Sequence, residues 1–206
     1  MNLLDNLTPD TLAARGLAWE HAPTHWEALP GGGLRVIAPA RADYFRDPTG
    51  SHVNDAAPFL WMNVSGDFVA RALVRPTFAS TYDSGVILVR HDPEHWAKVC
   101  FEKTDFGTTA AVSVVTNGVS DDANGANLEL AEVWLQVTRV GDVFGLQYSP
   151  DASDGSWRMV RVFRLPIPPT VRVGIVAQSP VGPGTTIDFL HFSIEQRTVK
   201  NVRSGT

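Results

Sequence analysis

A single cysteine, Cys100, stands among the 206 residues, so no intramolecular disulfide and no multi-cysteine zinc centre can form. Basic residues are also scarce: 17 Lys and Arg against 22 Asp and Glu leave a net charge of −5 with histidine neutral. A nucleic-acid-binding surface needs a basic stripe, which that balance argues against. No apolar run approaches the roughly 18 residues of a membrane-spanning helix. Neither nucleic acid nor membrane is therefore expected as a partner. The segment from Met1 to Thr11 carries Asp5 and Asp10 and no basic residue, unlike a secretory signal. Together with the lone cysteine, this points to a cytoplasmic protein. The Gly-x-Ser-x-Gly elbow of serine hydrolases is missing. His21 and His25, and His91 and His95, are spaced by four, but around Pro23 and Pro93 and without a telling third ligand. No metal and no cofactor are expected.

Forty-four per cent of the residues are apolar, enough for one domain with a substantial core. Thr8-Pro9-Asp10 predicts the start of a short helix: a capping hydroxyl, Pro at the first helical position and an acid near the positive end of the dipole. Leu12 and Ala13 should face inward, and Gly16 should end the helix. Beyond it the chain reads as short apolar runs broken by Gly, Pro, Asn and Asp. Several alternate with period two, as in Phe68, Ala70, Ala72 and Val74 against Val69, Arg71 and Leu73. Eleven strands are predicted, over 34–38, 58–63, 67–74, 85–90, 96–102, 109–116, 133–139, 143–148, 157–165, 171–178 and 187–194. So many short strands fit two sheets packed face to face. Gly141-Asp142 should form a tight hairpin turn and Ser149 to Gly155 a longer one. Residues 1–18 then form an N-terminal segment with the helix, 19–196 the β-sandwich domain, and 197–206 a frayed polar tail.

The candidate site residues follow from the strand pattern. In 96–102, Ala97, Val99 and Phe101 form an apolar face, which leaves Trp96, Lys98, Cys100 and Glu102 on the other. A ring beside an ammonium and a carboxylate is the mixture a sugar needs, with one apolar face and many hydroxyls. The same groups also fit a Lys–Glu pair beside a partly exposed Trp. Tyr82-Asp83-Ser84-Gly85 precedes a strand, and Asp83 would either meet a ligand hydroxyl or cap its own turn. Thr116-Asn117 opens a polar, Gly-punctuated stretch running to Gly125. Its oxygens could hold calcium, but the spacing completes no EF-hand, and a solvated loop is expected. Arg161 falls on the apolar side of its strand, where an arginine pairs with a buried carboxylate or closes a pocket. Cys100 reads as a small buried thiol.

Short motifs spread from about Trp19 to Gln196 carry a family resemblance. They include Ala42-Asp43-Tyr44-Phe45, Asn54-Asp55-Ala56-Ala57-Pro58, Gly66-Asp67-Phe68, Tyr82-Asp83-Ser84-Gly85, and Trp96-Ala97-Lys98 with Glu102. They continue with Ser113-Val114-Val115-Thr116-Asn117, Ser120-Asp121-Asp122, Tyr148-Ser149, Asp154-Gly155 with Trp157, Arg161, and Gln178-Ser179-Pro180. In order and spacing the chain resembles the regulation-of-enolase-type family of concanavalin A-like domains, a family of unknown function. The resemblance implies an all-β jelly-roll sandwich of two antiparallel sheets, one of them concave, similar to legume lectins and laminarinase-type glucanases. By that analogy a glycan would lie on the concave face, near Asp83, Trp96, Lys98, Glu102 and Gln178. Three positions depart from the pattern: Ala42 where threonine is common, and Phe45 and Asp122 where tryptophans are common. The Glu-x-Asp-x-x-Glu strand motif of the glucanases is absent.

Non-catalytic carbohydrate binding is the expected function, with an oligosaccharide as ligand and Tyr82, Asp83, Trp96, Lys98, Glu102, Thr116, Asn117, Arg161 and Gln178 around it. Two alternatives stand beside it. One is a regulatory domain that meets a protein partner and is linked to carbohydrate metabolism. The other is a glycan-active hydrolase using Glu102 and Asp83 as its carboxylate pair.

Overall fold

The structure, a computed structural model, describes residues 1–206. One helix, α1 (Pro9–Ala14), is capped by Thr8 and Thr11, each side chain accepting or returning a bond to the other's backbone. Sixteen strands follow: β1 (Ala18–Glu20), β2 (Trp26–Ala28), β3 (Leu34–Pro39), β4 (Tyr44–Arg46), β5 (Val53–Asp55), β6 (Phe59–Ser65), β7 (Phe68–Pro76) and β8 (Ser84–Asp92), then β9 (His95–Lys103), β10 (Thr109–Asn117), β11 (Val119–Asn127), β12 (Val133–Val140), β13 (Val143–Ser149), β14 (Arg158–Arg164), β15 (Thr170–Gln178) and β16 (Gly184–Glu195). No helix is long and apolar enough to cross a membrane.

Two seven-stranded sheets pack face to face. The first runs β1-β6-β15-β8-β9-β10-β11 and the second β14-β13-β12-β7-β16-β3-β2, with β4 and β5 as a separate hairpin. Neighbouring strands are antiparallel throughout, as in β8–β9 and β7–β12. The expected all-β jelly-roll sandwich is therefore what the chain forms. Its alternation decides the inner faces: Phe68, Ala70, Ala72 and Val74 of β7 meet Ile87, Val89, Val99 and Phe101 of β8 and β9 in the main core. A second apolar cluster lies on the far side of the first sheet. There Ala42, Tyr44 and Ala57, on and beside the β4–β5 hairpin, cover Phe59, Val86, Leu88 and Trp96. The concave face is thus not an open groove. The hairpin fills much of it and leaves a cleft at one end.

Several sequence expectations change. The segment after Asn117 is no solvated loop: after a turn at Gly118 it becomes β11, paired along β10 at the sheet edge. An edge strand needs only its backbone to pair, so its polar side chains gave no alternation to read. Strands β1, β2, β4 and β5 span three residues each and fall below the length at which period two is visible. Ala13 faces solvent, since a six-residue helix buries only Leu12. The tail is not frayed. Gln147 Nε2 donates to Val202 O at 2.7 Å, and Val199 and Gly205 are buried. It lies close over β12 and β13 because Gly145 and Gly205 carry no side chain: a Cβ at Gly145 would sit 2.2 Å from Val202 O.

Candidate functional site

The register of the first sheet builds the site row by row on its outer face. Gln178, Ser84, Glu102 and Ala110 stand side by side across β15, β8, β9 and β10. Two residues along each strand come Val176, Val86, Cys100 and Val112, an apolar floor. The next row holds Leu88, Lys98, Val114 and, on β11, Asp122. Lys98 and Glu102 thus flank the buried Cys100 on one strand, with Asp122 two strands away in the row of Lys98, beyond Val114. A cavity of about 190 Å³ lies over these rows, walled also by Asp43 and Phe45 from the hairpin and by Tyr82 and Pro180.

Lys98 is only 3% exposed, and its ammonium is fully engaged. Nζ donates to Tyr44 O at 2.8 Å, to Asp43 Oδ1 at 3.3 Å and to Gln178 Oε1 at 3.3 Å. An ammonium has three hydrogens, so none is left for a ligand. Burial opposes its charge, but the nearby acids, Asp43 foremost, outweigh that and hold the ammonium above its ordinary range. Asp43 Oδ1 also accepts from Tyr44 N and Gln178 Nε2. Lys98 therefore ties the hairpin to the sheet, and its ion-pair partner is Asp43 rather than Glu102.

Glu102 has the opposite character. It is 8% exposed, lines the cavity and takes no hydrogen bond from the protein. Burial pushes its pKa up to about 8; the Lys98 ammonium opposes this, while Asp122 and Asp43 add to it. At neutral pH Glu102 is thus mainly a neutral acid that can both donate and accept. Asp122 is exposed at the sheet edge, yet partial desolvation of its carboxyl raises it as well, against the pull of Lys98 and of the Ala123 N–H. Beside Glu102 on the neighbouring strand, Ser84 Oγ is buried without a partner. Tyr82 stands at the mouth, 38% exposed, with φ +67°, a left-handed conformation that strains any residue with a side chain. Asp43, Phe45, Tyr82 and Pro180 continue into an open groove of about 560 Å³, lined further out by Arg41, His52 and Asn54. The arrangement offers rings at the rim and oxygen acceptors along the walls, a combination suited to a small polar ring.

Of the residues singled out from sequence, the cleft brings together Tyr82, Lys98, Glu102 and Gln178. The others lie elsewhere. Trp96 is fully buried rather than partly exposed; its Nε1 donates to Pro93 O and its ring packs edge-on against Tyr44, so it offers no stacking surface. Asp83 is buried too, and its carboxylate accepts from Ala79 N, Ser80 N and Ser179 Oγ. It caps its own turn and cannot pair with Glu102 in chemistry. Thr116 Oγ1 is bonded to Ser120 Oγ, and Asn117 is an exposed residue at the β10–β11 turn. Arg161 reaches from the second sheet to the exposed Asp121 of β11 at 2.8 Å, neither pairing with a buried acid nor closing a pocket. Sequence reasoning missed Asp43, Phe45, Ser84, Val114, Asp122 and Pro180. Asp43 sits 55 positions from Lys98, and no local pattern joins them. Phe45 and Asp122 did carry a signal: both depart from the resembled family's pattern, and both line the cavity. No three His, Cys, Asp or Glu side chains converge closely enough to hold a metal ion.

Comparison with known proteins agrees with this architecture. Residues 19–197 match the family described as "Protein of unknown function (DUF1349)". The chain is similar to "Regulation of enolase protein 1" of Saccharomyces cerevisiae, 31% identical over 157 residues, which cover 75% of this chain and 77% of that one. A crystal structure of a functionally unknown S. cerevisiae protein superposes with a TM-score of 0.80 at 28% identity, over 87% of this chain and 96% of that one. Two more distant structures share the fold alone. The GH43 protein BlXynB of Bacillus licheniformis has a TM-score of 0.69 at 14% identity, over 92% of this chain and 37% of that one. The exoplasmic/lumenal domain of VIP36, in a Ca2+/Man3GlcNAc-bound form, has a TM-score of 0.57 at 9% identity, over 97% and 90%.

Proposed function

The chain belongs to the DUF1349 family of proteins of unknown function, and on that premise we propose that it is a non-catalytic carbohydrate-binding domain whose ligand enters the cleft above Lys98 and Glu102. The observation that carries this reading is Glu102: a carboxyl more than nine-tenths buried, free of any protein partner, facing a cavity rimmed by Phe45 and Tyr82. Buried polar groups are ordinarily satisfied, and an unsatisfied one beside a cavity calls for a polar occupant. The sandwich shared with the VIP36 domain, whose crystal form holds Man3GlcNAc, supports the same class of ligand. The reading also places the protein in the cytoplasm, where a buried Cys100 stays reduced.

Thermal unfolding with mono- and oligosaccharides tests it. At ~100 times its dissociation constant a ligand adds about 2.7 kcal/mol, which for this chain length is a rise of several degrees at roughly 2–4 °C per kcal/mol. The rise should vanish in Glu102→Gln and Tyr82→Ala while both variants stay folded. Screens flat for every sugar would overturn the proposal and favour a regulatory protein-interaction role.

A second reading rests on the same carboxyl. An acid with its pKa near 8 beside Asp122 resembles the proton donor and carboxylate of a glycosidase. Release of a reducing sugar that Glu102→Gln abolishes would select hydrolysis over simple binding.

A further inference from the structure

The cleft contains one ammonium, and the ammonium is not available. Lys98 gives all three hydrogens to Tyr44 O, Asp43 Oδ1 and Gln178 Oε1. The polar groups left facing the cavity are of another kind. Glu102 makes no side-chain hydrogen bond, Asp122, exposed at the sheet edge, is met only by the N–H of its neighbour Ala123, and only Oδ1 of Asp43 is engaged. Arg41 and His52, the basic side chains nearest the opening, line the outer groove and not the inner cavity. We propose that the inner cavity selects an uncharged, hydroxyl-rich sugar unit and rejects its phosphorylated and uronic acid counterparts, with Asp122 and Asp43 as the residues that enforce the rejection.

This inference rests on the carbohydrate-binding reading and names its ligand class. An acidic group entering the inner cavity would meet carboxylate oxygens with no free cation to offset them. Asp43 and the cavity wall at Glu102 are mostly shielded from solvent, so there the repulsion is stronger than at an open surface, while the exposed Asp122 adds its charge from the sheet edge. A hydroxyl meets the same oxygens as a donor, and the protonated Glu102 can donate in return. Acid groups further along a chain are tolerated, because Arg41 and His52 stand beside the outer groove. The selection therefore falls on the one unit that enters the cavity, and monosaccharides are its proper probes.

The test is a backbone-amide NMR titration of the full chain at pH 7 with matched pairs: glucose against glucuronate, galactose against galacturonate, and mannose against mannose 6-phosphate. The expected result is that at least one neutral sugar shifts resonances around the cleft and that its acidic partner binds at least tenfold more weakly. Asp122→Asn should narrow that gap by strengthening the acidic partner, which a purely structural role for Asp122 would not do. Equal or tighter binding of the acidic sugars would overturn the inference and leave carbohydrate binding standing. An unchanged gap in Asp122→Asn would overturn the role given to that residue. Silence with all six sugars would overturn both the inference and the reading beneath it.

Discussion

Two charged clusters lie on the outer face of the same sheet, beneath the same hairpin, and they are built to opposite effect. At one end Glu20 accepts from Arg90 Nη1 at 2.6 Å, from Arg172 and from the Tyr44 hydroxyl. The two guanidinium groups also lie over the rings of Tyr44 and Trp61. Its leftover polar atoms, Arg90 Nε and Asp55 Oδ1, are sealed from solvent. At the other end Lys98, Asp43 and Gln178 form an equally tight knot, but Glu102 and Asp122 stand outside it and face a cavity. The first cluster holds the hairpin down and closes on itself. The second holds the hairpin down and leaves acceptors over. Burial, charge and leftover polar atoms are common to both, so none of them marks the site; acceptors that open onto a cavity do.

Breaking the closed cluster should cost the most. Glu20→Ala leaves Arg90 and Arg172 without their counter-charge, and we expect a loss of about 3 kcal/mol, toward the lower end for a buried pair because Glu20 is partly exposed. Differential scanning calorimetry should then record a midpoint roughly 6–12 °C lower. Lys98→Met should cost nearly as much, ~3 kcal/mol, by stranding Asp43. The double change Lys98→Met with Asp43→Asn should recover part of that in denaturant unfolding, the non-additivity expected of a tied pair. A Lys98 that served only a ligand would lose no stability at all.

Glu102 sharpens the comparison through pH. Its folded pKa of about 8 lies above the ordinary 4.5, so between those values the folded state holds a proton that the unfolded state has released. Stability must fall as pH rises through that window. Glu102→Gln lacks this titration. Its stability relative to wild type should therefore climb by a few kcal/mol from pH 4.5 to 8 and then level off. Parallel urea-unfolding curves for the two proteins across the window would refute the buried acid. Tyr82→Gly relieves the left-handed backbone while removing the rim ring, so its stability should stay within about 1 kcal/mol of wild type. Sugar affinity should fall all the same. The smallest effect belongs to Arg161→Ala, under 1 kcal/mol by chemical denaturation, because its partner Asp121 is exposed.

Sequence periodicity foretold the sandwich because alternation is imposed by burial, and each of the eleven long runs has one face in a core except that of β14, which packs only the partly buried Val160 and Phe163 against it. It placed Lys98 and Glu102 on one face for the same reason. What it could not supply was distance across the fold. Asp43 reaches Lys98 only because the hairpin folds back over the sheet, and that tie turns a supposed ligand contact into a brace. Nor could alternation tell a buried Trp96 from an exposed one, since both faces of β9 are covered. Asp83 was legible as a turn cap, and the hydrogen bonds bear out that option over the ligand contact.

The treatment of the four sheet borders has a consequence for how copies of this chain meet one another. Two borders, β1 and β2, are three residues long. The other two, β11 and β14, are long but carry opposite charge: Asp121 and Asp122 on one, Arg158, Arg161 and Arg164 on the other. A register shift between Ala110 and Val112 also kinks the ladder that ends in β11. A flat apolar border is a template onto which another chain can add a strand, and short, charged or kinked borders are poor templates. The Arg161–Asp121 bridge joins the two long borders across the sandwich, so that pair of charges is already engaged within one chain. The polar composition that hid β11 from a sequence reading thus guards the fold against growing, strand by strand, into a fibre.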